Sequence, residues 1–332
     1  MESDPATLST LAADPLLAAT PLPHHAVYHP HGFPARIETN HPAVLEAANT
    51  SFNGLPPRFD TPPVVLRIVV SPSQNETLPP APTFRAQRHL FHLVAGAANY
   101  ACCDLDSGFG AAWLAASTAL APEYLRYYFL EAMALTLVEA RHLLSLHAAC
   151  VARHGRGLLL CGDSGAGKSS LAFACALDGF TYIADDCASL VRAHPTRSVI
   201  GSPHLIRFRD TAAALFPELA AHTPCLRANG DLSIELHTAD FPHLHTAHES
   251  PIDAIILLDR SPHHPSPAAL HPISLDEARP HLCPIAWPPE LTITREREQT
   301  FSRLRGAAVY RLLYRGLASA VSRLNQLVSA SP

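Results

Sequence analysis

No run of lysine or arginine breaks this sequence, and its 24 basic residues are outnumbered by 29 acidic ones. A nucleic-acid footprint or a patch for an anionic membrane needs clustered positive charge, so both partners are argued against. No stretch approaches the ~20 apolar residues of a spanning helix. The start, MESDPATLST, is acidic, and no apolar segment with a cleavage site follows it, so no secretory signal is read. The eight cysteines stand singly apart from Cys102–Cys103, with no CxxC pair and no regular spacing. Such scattered thiols suit a reducing compartment better than a disulfide framework. No internal repeat is visible. The expectation is a soluble, cytoplasmic protein.

What is present allows a sizeable core. Hydrophobic residues make up 48% of the 332, charged residues only 16%. That length suits one large domain or two modest ones. Residues 1–35, rich in Pro, Ala and His, read as a mobile lead-in. Residues 36–143 read as a small α+β domain. In it, ARIETNHPAVLEAANTSF gives strand, turn and helix with Asn40 as N-cap, and PPVVLRIVV gives a strand over Val64–Val70. AQRHLFHLVAG and ANYACCDLD give two more. A helix opens at Pro122, with Leu125, Phe129, Met133, Leu137 and Val138 at helical spacing; that stripe reads as core. Residues 144–332 alternate strand and helix, the pattern of an α/β layered core. SLHAACVA, LLLC, TYIADD, DAIILLDR and YRLLYRG are its strands, LASAVSRLNQLV its last helix, and Pro262–Pro272 a surface loop.

GDSGAGKSS, Gly162–Ser170, fits G-x-x-x-x-G-K-[ST] without a mismatch. Glycines at this spacing let backbone N–H groups curl around a phosphate, and the following helix adds the positive end of its dipole. Lys168 then reaches the β- and γ-phosphate oxygens, and the Ser169 hydroxyl takes Mg2+. The context agrees: an apolar strand, Leu158–Cys161, precedes the loop and a helix follows it until Gly179. Gly162, Asp163, Ser164, Gly165, Ala166, Gly167, Lys168, Ser169 and Ser170 are therefore the expected nucleotide-binding residues, with ATP and Mg2+ as the ligands.

Two apolar strands end in acids that could serve such a loop: YIADD at Asp185–Asp186 and IILLD at Asp259. By pattern alone Asp259 is the cleaner match. The pair offers more, because one carboxylate can hold a metal through water while the other accepts a proton from an incoming hydroxyl. Arg227 reads either as a group reaching toward transferring phosphate or as a surface residue beside the Asn229–Gly230 turn. The run His237, Asp240, His243, His245 and His248 reads as a loop rather than a zinc site. Cys161 and Cys187 read as small apolar residues rather than nucleophiles.

LHAACVARHGRGLLLCGDSGAGKSSLAFACALDGFTYIADDCASL resembles the catalytic core of the bacterial HPr kinase/phosphorylase family. The shared features are the opening His, G-D-S-G-x-G-K-S, the Gly that ends the helix, and A-D-D, at matching separations. AVYRLLYRGLASAVSRLNQLV is more weakly similar to the closing strand and helix of HPr-kinase-related proteins. The resemblance implies a P-loop kinase core of the HPr kinase/PEP carboxykinase-like type over 144–332. It makes Asp186 the proton acceptor from a substrate serine, with Asp185 beside it on the metal, and His147 a histidine flanking the phosphates. It implies an ATP-dependent serine kinase acting on a protein or peptide, an HPr-like carrier or a precursor peptide, and a homo-oligomer. The chain departs from the family at three points. The region GSPHLIRFRD offers Arg207, Arg209 and Asp210 where the signature L-E-I-R-G has Glu; Ser170 stands where Glu usually follows K-S; and the loop used for the reverse reaction is not found. Kinase rather than phosphorylase activity is expected. The competing readings are an ATP-binding sensor without transfer activity and a small-molecule phosphotransferase on the same core.

Overall fold

Parallel and antiparallel strands share both large sheets of the computed structural model, which describes residues 21–71, 77–219, 222–226, 230, 232–264, 266–283 and 292–330. The chain divides into two compact units, Met1–Arg141 and His142–Pro332.

In the first unit, β1 (His24–Tyr28), β2 (Ala35–Thr39), β3 (Val64–Ser71), β4 (Thr83–Gln87), β5 (Leu90–Val94), β6 (Tyr100–Asp104) and β7 (Phe109–Ala115) form a sheet in the order β1-β2-β3-β7-β6-β5-β4. Strand β1 corrects the reading of 1–35 as a lead-in: alternate exposure along HHAVY fits a strand laid antiparallel on β2. Along β3 every second residue is buried, as a strand with one covered face requires. Helix α1 (Pro42–Phe52) links the parallel pair β2 and β3. Its N-cap is His41, whose Nδ1 accepts from the Ala43 N–H, and not Asn40 as expected. Asn40 instead pairs with the β3 backbone, donating to Val70 O at 3.0 Å and accepting from Val70 N at 2.8 Å. Its amide acts as one more ladder rung, making two backbone hydrogen bonds where a cap makes one. Helix α2, residues 122–142, is α-helical at Pro122–Leu125 and Ala132–His142, with a wide π turn at Arg126–Glu131 between. Its expected stripe, from Leu125 to Val138, is fully buried.

The second unit is built around β10 (Arg156–Cys161). β9 (Ala148–Arg153) lies antiparallel to it, and β18 (Glu249–Arg260) parallel. β11 (Thr181–Ala184) flanks β9, while β20 (Ala308–Tyr314) flanks β18 in parallel. Leu158 and Leu160 enter one core and Leu159 and Cys161 the other, so β10 is covered on both faces and reads as an unbroken apolar run. One core packs α3 (Lys168–Leu177) and α6 (Leu317–Ser329); the other packs α4 (Leu275–Leu282) and the end of α5 (Thr292–Ser302), with Leu304 just after it. A Cβ on Gly157 would lie 2.2 Å from Pro251 O, so only glycine allows β18 this close to β10.

Two local readings change. SLHAACVA is not one strand: it bends at His147, separating β8 (Leu143–Leu146) from β9. β8 pairs with β12 (Ala188–Val191) and β9 with β10, so the break lets the chain change partners and leaves the His147 side chain partly exposed at the corner. Within Pro262–Pro272, the residues Ala269–Pro272 form β19, antiparallel to β20. β13 (Ser198–Ile200) joins β12 to β18, β17 (His245–Thr246) flanks β11, and a smaller sheet orders β14 (Leu205–Arg209), β16 (Leu232–His237) and β15 (Cys225–Leu226). Among the described residues no helix is long and apolar enough to cross a membrane.

Candidate functional site

The loop leaves the carboxyl end of β10 at Gly162 and enters α3 at Lys168, with Gly165 and Gly167 in the left-handed region (φ 87° and 95°). A Cβ on Gly167 would sit 3.0 Å from the Tyr314 hydroxyl, which itself donates to Ala166 O at 3.2 Å. Tyr314 thus braces the loop from β20. Gly167 is the N-cap of α3 and has no side chain to cap it, and the first turn carries no acid. The amides of Lys168, Ser169 and Ser170 therefore head a helix dipole with no side-chain acceptor of its own, the arrangement that favours an incoming anion.

Lys168 is the only lysine in the chain. Its side chain is buried, and the ammonium donates to Gly162 O at 2.9 Å and Asp163 O at 3.3 Å. Burial holds its pKa below the usual lysine value, opposed by the nearby Asp186 carboxylate. The ammonium also lies 2.9 Å from His147 Nε2, and His147 Nδ1 lies 3.3 Å from Asp186 Oδ1. A nitrogen facing an ammonium must accept, so the ring proton belongs on Nδ1, toward the carboxylate. Lys168, His147 and Asp186 therefore form one connected chain.

Asp185 is placed differently. Its Oδ2 accepts the Arg207 N–H at 2.8 Å, which ties the end of β11 to β14. Burial pushes its carboxyl up to about 6, against that hydrogen bond and with help from Asp186. From β14, Arg209 reaches the loop and donates to Ser164 Oγ at 2.8 Å. Opposite, His281 Nδ1 lies 2.8 Å from Asp163 Oδ1. The His147 N–H donates to Leu282 O, also at 2.8 Å. Ser169 and Ser170 lie in the first turn of α3, partly exposed.

Asp259, the competing acid, ends the strand beside the loop but is engaged elsewhere, 2.7 Å from His264 Nε2 and 3.8 Å from Arg311 Nη1. Burial pushes the Cys161 thiol up to about 12, which removes it as a nucleophile at neutral pH. Arg227 lies outside the described residues. Among those described, no group of three or more His, Cys, Asp and Glu side chains could hold a metal ion. A cavity of about 740 Å³ lined by Ala174, Leu177, Phe216, Leu317 and Val321 holds none of the expected site residues.

The motif's spacing brought the loop and Lys168 into view. Nothing local pointed to His281, which is 118 residues from Asp163, nor to the grip of Arg209 on Ser164, 45 residues apart.

No protein-family model and no curated protein matches the chain. Among solved structures it is similar to the HPr(Ser) kinase/phosphatase from Coxiella burnetii, at 14% identity over 56% of this chain and 97% of that one, with a TM-score of 0.28. That is a weak likeness of fold and has no bearing on chemistry.

Proposed function

We propose that the second unit is an ATP-dependent, HPr-kinase-like P-loop kinase that transfers the γ-phosphate to a serine hydroxyl of a protein or peptide in the cytoplasm. The observation that carries this reading is the chain Lys168–His147–Asp186 at the mouth of the glycine loop. A nucleotide sensor needs the loop and the lysine. It does not need a histidine-oriented carboxylate standing next to them.

The uncapped start of α3, the Lys168 ammonium and the Ser164 hydroxyl are donors, which suits phosphate oxygens. Ser169 and Asp185 would hold Mg2+, which takes its remaining ligands from phosphate and water and offsets charge on the phosphate chain. His147 aims Asp186 through its Nδ1–H. Asp186 takes the hydroxyl proton as the serine oxygen bonds to the γ-phosphorus and the bond from phosphorus to the leaving ADP oxygen breaks. Lys168 neutralises charge on the transferring group and swings little, because the two loop carbonyls already hold it.

Incubation with γ-labelled ATP and a cell lysate tests this. A labelled protein band is expected, and Asp186→Asn should abolish it while ATP still binds. Transfer that survives in Asp186→Asn removes the base. A labelled small metabolite would move the reading to small-molecule phosphotransfer, and ATP binding without label to a sensor.

A further inference from the structure

The loop that would hold a triphosphate carries a carboxylate of its own. Asp163 is the second residue of Gly162–Ser170, and its side chain is 85% exposed. A negative charge there opposes every phosphate oxygen that approaches. The fold meets it from α4. Helix α4 is fixed at its start by a capping box, in which Ser274 accepts from the Glu277 N–H and Glu277 from the Ser274 N–H. It is fixed along its length by Ala278 and Leu282, both fully buried in the core that also contains Leu146, Ala148 and Cys161. At its end two adjacent residues face the site. Leu282 O accepts from the His147 N–H, and His281 Nδ1 reaches Asp163 Oδ1. The other charged group acting on the Asp163 carboxylate is the Lys168 ammonium.

We infer that His281 is a positioning residue for nucleotide phosphate: its hydrogen bond with Asp163 fixes the loop's own carboxylate against α4, so that it does not swing among the phosphates. This rests on the nucleotide-binding reading of the loop. It assigns His281 no part in the chemical step, since its hydrogen bond goes to Asp163 and not to Lys168 or Asp186.

A charge effect differs in kind from a merely structural one. It should scale with the charge of the ligand, and it should vanish when the carboxylate is removed. Calorimetric titration of the full chain with ATP, ADP and AMP, each with Mg2+, reads both. His281→Ala should weaken ATP binding about fivefold, the size expected for one hydrogen bond, and AMP binding by less than about twofold. Adding Asp163→Asn to His281→Ala should recover the lost ATP affinity. His281→Asn, which can place an N–H near the position of Nδ1, should keep most of it. Asp163→Asn alone leaves α4 untouched and should tighten ATP binding about twofold. That measurement stands even if His281→Ala does not fold. Unchanged ATP affinity in His281→Ala, equal losses for ATP and AMP, or no recovery in the double variant would each overturn the inference. A wild-type chain that binds no nucleotide at all would overturn the loop reading itself, and this inference with it.

Discussion

Lys168 shows how much one residue can report, because it is the single lysine of the chain. An amine-acylating reagent therefore has one side chain to find. Burial favours its neutral, reactive form, and the loop carbonyls limit access. ATP with Mg2+ should protect it from modification, read by mass spectrometry of the peptide; equal labelling with and without nucleotide would place the phosphates elsewhere. Asp185 gives a pH test. Burial pushes its carboxyl up to about 6 from its ordinary 3.8, so folding favours the protonated form. That contribution is fully present below the unfolded value and is lost as pH rises through about 6. Asp185→Asn keeps an oxygen for the Arg207 N–H and removes the charge. It should raise the melting temperature at neutral pH and flatten its slope between about pH 4 and pH 6.5. An unaltered slope in a thermal-shift series would mean that burial does not govern this carboxyl. The register of Lys168 and the A-D-D pair was legible because both belong to short segments. His147 as their link was not, since only a bend between two strands aims its ring at both.

At the level of elements, helix α6 depends on a distant arginine. Arg156, at the start of β10, donates to Leu327 O and Val328 O at 3.2 Å and to Ala330 O at 2.7 Å, and it pairs with Asp253 at 2.7 Å. A cation on the last carbonyls of a helix satisfies orphan acceptors and the dipole together. Arg156→Ala should lower the unfolding free energy by about 1–3 kcal/mol, measured by denaturant titration. A change within error would mean that water replaces the guanidinium at no cost. The strand and helix of YRLLYRG and LASAVSRLNQLV follow from their apolar spacing. Their anchoring does not, because it comes from a residue more than 170 positions away. β19 was missed for a related reason: its residues pair with β20 and gain their ladder only in the assembled sheet. Asn40 suited a cap by type and became a ladder rung, because β3 offered two backbone groups at once.

Across the whole molecule, two units with separate sheets and cores are expected to unfold in separable steps. ATP with Mg2+ at 100 times its dissociation constant should stabilise the step of residues 142–332 by about 2.7 kcal/mol and leave the other unmoved. Calorimetric scans with and without nucleotide read this directly. A single transition that shifts as one would mean the units are thermodynamically coupled. The sequence by itself determined the glycine loop, its lysine and the acid pair, because tight turns and helix starts are set by neighbouring residues. It also determined the α/β alternation of the second unit, through apolar runs long enough to be covered on both faces. Only the tertiary structure decided which acid stands beside the lysine and which is tied up with His264 and Arg311. Only it brought α4 onto Asp163 and β14 onto Ser164. Those contacts join residues far apart in the chain, and no local preference encodes them. They exist because the two cores of the second unit pack the helices and strands that carry them.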